Sequence, residues 1–272
     1  MTALLVTGLG EAPGKTAVAV GLARRWKNAG RSVGYVGSEP DAEFVRKTLG
    51  VGDAGDLLIV EGPDYPDAKV LIVVGYKQGL GAPEVPSNAV GVVVNGVPAK
   101  SIERVRGLMN GSPVLGILPE NRALMAFTVG ELARHLGAEY LVPPQGDGEI
   151  VEHLMLGANI TDTATTYFIP KEHMAVFCRC DRPDLQLAAL NQSVRCLVLT
   201  GTGFLQASVI HRAEDMGVPV LRVTEETLDV LARLDGLVEG QRFRQEAKVL
   251  PMAALMERYF DFLALDRALG LA

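Results

Sequence analysis

The amino-terminal end of the chain places an apolar run, a glycine-containing loop and a helical pattern in immediate succession. Leu4–Thr7 is apolar and strand-like, and a glycine follows it directly. The next segment, Lys15–Ala29, has the i, i+4, i+8 spacing of one helix face at Val18, Leu22 and Trp26. A strand that turns through glycines into a helix is typical of the opening unit of an α/β sheet, so this order strongly restricts the fold.

Further apolar runs recur along the first half of the chain. They are continuously apolar rather than alternating, which is the pattern of strands covered on both faces. The sequence therefore predicts an α/β fold with a mostly parallel sheet flanked by helices. The runs are Ser32–Val36, Leu57–Val60, Val70–Val74, Val90–Val94 and Val114–Leu118.

The second half alternates strand-like and helical patterns again, after a Pro- and Gly-rich turn near residues 142–148. We therefore expect a first domain over residues 1–142, in which a helix at about 127–137 precedes a strand at Tyr140–Val142. A smaller α/β domain is expected over 149–245. An amphipathic C-terminal helix over 246–272 either caps a core or meets a partner.

Composition excludes several classes of function. The net charge of -6 argues against a nucleic-acid partner held by general electrostatics. The sequence shows no secretory leader and no apolar run of the ~18 residues that a membrane-spanning helix needs. Cys178, Cys180 and Cys196 show no Cys-x-x-Cys spacing, so we expect buried thiols and a cytoplasmic protein.

The loop between the first strand and the first helix has the residues of a phosphate grip. Gly8 and Gly14 allow close approach of the backbone, and the helix N-terminus offers free N–H groups. Lys15 can reach outer phosphates, and the hydroxyl of Thr16 can bind Mg²⁺. The spacing is Gly-x5-Gly-Lys-Thr, with Leu9 where the common motif has its first glycine.

Two other interpretations of this loop stay open. The first is a plain glycine turn with a solvated lysine. The second is a dinucleotide fold, in which Gly8-Leu9-Gly10 begins the glycine motif and Glu39 contacts a ribose. Pro13 stands at the third glycine position of that motif, and the dinucleotide interpretation leaves the Gly-Lys-Thr sequence unexplained.

The long form of the loop resembles that of dethiobiotin synthetase and of the related amino-terminal domain of long phosphotransacetylases. Val60-Glu61-Gly62, Val92–Asn95, Gly116–Glu120 and Thr128–Leu132 are similar to later strands and turns of those proteins. The resemblance implies a P-loop fold that binds ATP and Mg²⁺. The implied nucleotide contacts are Gly8, Gly10, Glu11, Gly14, Lys15, Thr16, Ala17 and Asn95, and the implied metal ligands are Thr16 and Glu61.

Two of these assignments have structural alternatives. Glu61 is either a magnesium ligand or a hydrated carboxylate at a strand end. Asn95 either reads the nucleotide base or forms a turn with the glycine that follows it, because Asn-Gly is a strong turn pair.

The second half resembles the DRTGG domain that follows in those proteins. Asp181-Arg182 begins the signature, although Pro183-Asp184 then departs from it. Leu199–Gly203 and Val220–Thr227 are similar to its later strands. The resemblance implies dimerisation or effector sensing. A candidate ligand site comprises Asp181, Arg182, Thr200, Gly201, Thr202 and Gly203. Asp181 and Arg182 alternatively form an ion pair, and Thr200–Gly203 is either an anion-binding nest or a simple turn.

Departures from the synthetase pattern weaken the prospect of turnover. Val36-Gly37 stand where the family carries Lys-Pro, and Glu11 adds a negative charge to the loop. Phosphoryl transfer needs cations around the developing charge, and the nearest replacements are Lys47 and Lys77.

The leading hypothesis is therefore an ATP-binding regulatory or accessory protein with weak or no ATPase activity, a homodimer that serves an acyl-transfer enzyme. One alternative is an ATP-dependent ligase that forms an acyl- or carbamoyl-phosphate. Another is a scaffold whose loop no longer binds nucleotide. Phosphotransacetylase activity itself is not expected, since no acyltransferase sequence follows.

Overall fold

The computed structural model describes residues 1–9, 12–76, 85–109, 111–146, 149–157, 172–239 and 242–271. The chain divides into two compact units. The first comprises Met1–Leu124 together with Phe243–Ala272, and the second comprises Met125–Arg242.

The first unit is built on a parallel sheet, as the continuous apolar runs predicted. Its strands are β1 (Thr2–Leu9), β2 (Val33–Val36), β3 (Leu57–Glu61), β4 (Lys69–Gly75), β5 (Ala89–Val97) and β6 (Val114–Pro119). Within the described residues the sheet has six strands in the order β2-β3-β1-β4-β5-β6, and every neighbouring pair is parallel.

The second unit contains the remaining strands. They are β7 (Phe127–Thr128), β8 (Glu139–Val142), β9 (Ile150–Val151), β10 (His153–Gly157), β11 (Met174–Arg179), β12 (Val194–Thr200) and β13 (Val220–Val223). The larger sheet has the order β10-β11-β12-β13-β8, in which only the pairing of β13 with β8 is antiparallel among the described residues. The α/β character of this unit is confirmed.

Helices lie between several of the strands and at the C-terminal end. They are α1 (Lys15–Asn28), α2 (Asp41–Leu49), α3 (Ile102–Leu108), α4 (Arg122–Met125), α5 (Val129–Leu136), α6 (Pro183–Leu190), α7 (Ala207–Met216), α8 (Thr227–Glu239), α9 (Val249–Tyr259) and α10 (Phe262–Leu269). Short 3₁₀ turns lie at Ala99–Ser101 and Glu246–Lys248.

Both faces of the first sheet are buried, which explains why its strands are apolar without alternation. Leu4 and Val6 of β1 lie in one core, with Val18 of α1. Leu5 lies on the opposite face, with Val60 and other strand residues. Successive side chains of a strand point to opposite faces, so a strand covered on both sides needs apolar residues at every position.

The C-terminal segment differs from the single helix expected over 246–272. It forms α9 and α10, and Met252, Met256 and Leu265 are buried in the core of the first unit. Between the two helices, the Asp261 N–H donates to the carbonyl of Leu115 at 2.7 Å, next to a bridge between Phe260 and Gly116. This pairing with the edge of β6 interrupts the helix, and the segment caps a core, which was one of the two alternatives.

The boundary expected after residue 142 also differs from the structure. β8, expected in the first domain, pairs with β13 in the second sheet. The second unit therefore starts at Met125, and the segment after Arg242 returns to the first unit. Adjacency along the chain suggested the wrong partner for β8, because its apolar residues are compatible with either sheet.

Candidate functional site

The predicted phosphate loop lies at the carboxyl edge of the first sheet. β1 ends there beside β3 and β4, while β2 lies beyond β3. The direction in which successive strands are added reverses at β1, and such switch points form a crevice in which open α/β sheets bind ligands. Three residues singled out in the sequence, Lys15, Glu61 and Asn95, belong to elements that begin or end at this edge.

Gly8 lies directly beneath the side chain of Lys15. A Cβ atom added to Gly8 would stand 2.4 Å from Cγ of Pro13 and 2.9 Å from Cγ of Lys15. Only glycine therefore lets the methylene stem of Lys15 cross the end of β1. Gly8 is required here by close packing, even though the motif spacing is one residue longer than usual.

Asn95 supports the loop from the neighbouring part of the sheet. Its Nδ2 donates to the carbonyl of Pro13 at 3.1 Å. Gly14 has φ 94°, and a Cβ there would lie 2.1 Å from the same Nδ2. Asn95 and Gly96 lie inside β5 at a register shift, so the pair forms a bulge rather than a hairpin turn. Contact of Asn95 with a base stays a prediction.

The first turn of α1 presents backbone donors at this edge. Gly14 is the N-cap of α1 and has no side chain with which to cap it, and the first helical bond runs from the Val18 N–H to the Gly14 carbonyl at 3.1 Å. The N–H groups of Lys15, Thr16 and Ala17 thus have no acceptor within the helix. Together with the helix dipole, they favour an anion. Gly10 and Glu11 lie outside the described residues.

Thr16, Glu61 and Tyr35 form a connected hydrogen-bonded group. The Thr16 hydroxyl donates to Glu61 Oε1 at 2.8 Å, and the Tyr35 hydroxyl donates to Glu61 Oε2 at 2.6 Å. Burial, and then the charge and hydrogen bond of Glu61, raise the pKa of Tyr35, so the phenol stays protonated. The sequence analysis did not single out Tyr35. The one feature that could have drawn attention to it is a hydroxyl-bearing side chain within the otherwise apolar strand β2.

The Thr16 and Glu61 oxygens fit a magnesium ion. The 2.8 Å between Thr16 Oγ1 and Glu61 Oε1 is that of the hydrogen bond between them, and the same spacing is compatible with adjacent ligands of an octahedral Mg²⁺, which lie about 2.9 Å apart. One hydroxyl and one carboxylate leave the other positions to water and phosphate oxygens, as Mg²⁺ prefers.

Val36 and Gly37 stand where the resemblance to the synthetase implies Lys-Pro. A Cβ on Gly37 would lie 3.3 Å from Cε1 of Tyr35 and 3.5 Å from Cβ of Glu61. Position 37 therefore adjoins the carboxylate. Lys47 is exposed in the last turn of α2, about 9 Å along the helix from its first residue. Lys77 lies outside the described residues.

Lys248 is a buried cation of the first unit that sequence reasoning did not single out. Met256 packs on Gly21, and the guanidinium of Arg25 lies 5.4 Å from the centre of the Phe262 ring, so α9 and α10 follow the direction of α1. Lys248 precedes α9 and therefore lies towards the loop end of α1. Because it is only 1% exposed, a ligand in solvent does not reach it directly.

Glu39, the acid of the dinucleotide interpretation, is engaged elsewhere. Its carboxylate accepts from the backbone N–H of Glu43 at 2.8 Å and pairs with Arg46. These contacts lower the pKa of Glu39, with the Arg46 hydrogen bond as the main cause. Glu39 therefore stabilises the start of α2, and the structure gives the dinucleotide interpretation no support at this residue.

In the second unit, Asp181 and Arg182 do not pair with each other in the way that the sequence suggested. Arg179 holds Asp181 through two bonds of 2.9 Å, and Arg182 holds Asp184 through bonds of 2.9 and 2.6 Å. At and just after the end of β11, each arginine therefore pairs with the aspartate two positions further along the chain. The Arg179 contact lowers the pKa of Asp181.

The segment after β12 is partly committed to internal contacts. The Thr200 hydroxyl is buried, 2.7 Å from the Thr227 hydroxyl. Gly201 has φ 77°, and its N–H donates to the carbonyl of Glu225 at 2.8 Å. These contacts favour the turn interpretation at Thr200 and Gly201. Thr202 and Gly203 are exposed, and their part in an anion site stays a prediction.

Comparison with protein families finds one match in this half of the chain. The model described as "DRTGG domain" matches residues 131–237. Residues 131–237 form a DRTGG domain. Its matched range begins within α5, ahead of the expected boundary at 149, in agreement with the position of β8 in the second sheet. A capping box between Thr128 and Glu131 fixes the start of α5 just before the DRTGG domain.

A search of solved structures finds the CBS and DRTGG domains of the regulatory region of Clostridium perfringens pyrophosphatase, complexed with the activator diadenosine tetraphosphate. Sequence identity is 15% and the TM-score is 0.36. The match covers 45% of this chain and 50% of that chain, so this chain spans about half of its length. A similarity this low carries no information about the ligand of the DRTGG domain here.

The described residues include neither a candidate membrane span nor a cluster of metal-binding side chains. No helix among them is both long enough and apolar enough to cross a bilayer. No group of three or more His, Cys, Asp or Glu side chains in this part of the chain could hold a metal ion. A site built from Thr16, Glu61 and phosphate oxygens does not need such a group.

Proposed function

We propose that the first unit binds a nucleoside triphosphate, with ATP as the expected ligand, together with Mg²⁺. The chain then acts as a nucleotide-binding regulatory or accessory protein. The DRTGG domain supplies dimerisation or effector sensing, and an acyl-transfer enzyme is the proposed partner. Hydrolysis of ATP is expected to be slow or absent.

The observation that carries the proposal is the packing of Lys15 over Gly8 at the start of α1. Lys15 begins α1, so its side chain starts from the same end of the helix as the N–H groups of the first turn. An anion held there meets a point charge and several backbone donors at once. A plain glycine turn with a solvated lysine does not require a glycine beneath the lysine stem.

The residues divide the work of binding by their chemistry. Lys15 neutralises outer phosphate oxygens, and the amides of residues 14–17 donate to the phosphate chain. Thr16 and Glu61 are the residues that would hold Mg²⁺. When bound, the metal neutralises charge on the phosphate oxygens.

Slow turnover follows from the residues beside Glu61. Val36-Gly37 stand where the resemblance to the synthetase implies Lys-Pro, and Gly37 adjoins the phenol of Tyr35 and the side chain of Glu61. Stabilisation of the charge that develops in phosphoryl transfer depends on cations, and this departure removes one of them.

Isothermal titration calorimetry with ATP and Mg²⁺ tests the proposal. Lys15→Ala should weaken binding about 10–100-fold, since a hydrogen bond to a charged group contributes about 1.5–3 kcal/mol. Lys100→Ala removes an exposed lysine of the same unit and should bind as the wild type does. Equal affinities for the two variants, or no binding by the wild type, would contradict the proposal.

The alternatives predict different results. The scaffold alternative predicts no heat of binding in the wild type. The ligase alternative predicts phosphate release with a small amine or carboxylate substrate, abolished by Lys15→Ala. We expect binding without such release.

A further inference from the structure

Glu61 presents its two carboxylate oxygens to two different hydroxyl groups. Oε1 faces Thr16 at 2.8 Å and Oε2 faces Tyr35 at 2.6 Å. Tyr35 is fully buried, whereas Glu61 and Thr16 are partly exposed at the strand edge. One oxygen is therefore tied to the protein interior and the other is directed towards the loop.

The strand register explains why Tyr35 reaches this carboxylate. β2 and β3 are parallel, with Tyr35 opposite Ile59. Ile59 and Glu61 lie on the same face of β3 because side chains two apart share a face. A tyrosine opposite Ile59 that extends towards the carboxyl end of the sheet spans the distance of about 6.6 Å between those positions.

Close packing keeps the pair in place. Gly37 adjoins both members, since a Cβ at that position would stand 3.3 Å from the ring of Tyr35 and 3.5 Å from Cβ of Glu61. A methyl group at position 37 would push the ring by a few tenths of an ångström and would make ordinary contact with the Glu61 side chain. Glycine at position 37 thus leaves room for the phenol.

We propose that Tyr35 is a positioning residue that orients the Glu61 carboxylate, so that Oε1 is presented with Thr16 as a ligand of Mg²⁺. This inference rests on the proposed function. A free glutamate rotates about three bonds, and a donor that holds Oε2 removes this freedom before the metal arrives. Partners behind a metal ligand typically change metal affinity by about 10–100-fold when they are lost.

Tyr35→Phe removes the hydroxyl and keeps the ring. Tyr76→Phe is the matched control, because the Tyr76 hydroxyl also makes one side-chain hydrogen bond, to Ser101 at 3.0 Å, away from Glu61. ATP binding is measured by calorimetry in EDTA and across a Mg²⁺ titration, and Mn²⁺ binding in the presence of ATP is followed by electron paramagnetic resonance.

Tyr35→Phe should raise the Mg²⁺ and Mn²⁺ concentrations for half-maximal effect about 10–100-fold. ATP affinity in EDTA should equal that of Tyr76→Phe. If Tyr35→Phe and Tyr76→Phe show the same metal dependence and the wild type still binds ATP, the inference is overturned and the proposed function is not. Absence of ATP binding in the wild type overturns the proposed function and this inference with it.

Two further variants keep the test decisive. In a Glu61→Gln background, Tyr35→Phe should have no additional effect on metal affinity, because it acts through the Glu61 carboxylate. If Tyr35→Phe does not fold, Gly37→Ala is used instead, because its methyl group should move the ring by a few tenths of an ångström without removing the hydroxyl. It should shift the metal titration in the same direction by a smaller factor, and an unchanged titration overturns the inference.

Discussion

Replacing Gly14 by alanine introduces a methyl group where the amide of Asn95 now lies. The residue has φ 94°, and left-handed backbone costs a non-glycine residue about 1–2 kcal/mol. The new Cβ would stand 2.1 Å from Asn95 Nδ2, so the amide must leave and its hydrogen bond to Pro13 is lost. That bond contributes about 0.5–1.5 kcal/mol, so the total cost is about 1.5–3.5 kcal/mol.

A double-mutant cycle separates the two contributions. Asn95→Ala alone loses the hydrogen bond, and Gly14→Ala in that background pays only for backbone strain. The double variant should therefore cost about 0.5–1.5 kcal/mol less than the sum of the single variants. Urea unfolding gives these free energies, with circular dichroism as one probe and the fluorescence of Trp26, in the first unit, as another.

Additive costs in this cycle would refute the contact between Asn95 and the loop. A cost below about 1 kcal/mol for Gly14→Ala would refute the left-handed conformation of Gly14. ATP affinity should fall in the Gly14→Ala variants, because the amides of α1 change their directions.

Two other predictions follow from close packing and burial. Gly8→Ala should weaken ATP binding about 10–100-fold in a folded protein, as Lys15→Ala does, because the added methyl group displaces Lys15. Gly107→Ala is the control, because a Cβ at Gly107 would meet no atom within 4 Å. Equal ATP affinities of the two variants in calorimetry would contradict this reasoning. Burial raises the pKa of Cys178 to about 12 and also raises that of Cys196, so native protein should resist Ellman's reagent at pH 8. The contribution of these protonated thiols to the free energy of unfolding should be fully present below about pH 9 and should decrease towards pH 12. Rapid labelling of the thiols in native protein would contradict their burial.

The first sheet was predictable because burial on both faces leaves a local sequence signal. Each apolar run became a strand, and Lys15 begins α1 as expected. The partner of β8 and the break before α10 left no such signal. Both depend on contacts with distant strands, β13 in one case and the edge of β6 in the other.

Candidate-site residues were singled out where a local motif or the resemblance marked them. Lys15 and Thr16 were expected from the motif, and Glu61 from the resemblance to the synthetase; the structure brings these residues to one edge of the sheet. Tyr35 and the contact of Asn95 with Pro13 depend on strand order and register, which one sequence does not specify. The pairing of Arg179 with Asp181 depends on the geometry of a turn, and adjacency in sequence gave the wrong pair.

Backbone amide signals report most directly whether the loop holds phosphate. Titration of ATP and Mg²⁺ into ¹⁵N-labelled protein should shift the signals of Gly14, Lys15 and Thr16 together, with saturation at one concentration of ATP. Signals that stay unchanged at the loop, or that shift only within residues 125–242, would contradict a phosphate site at the start of α1.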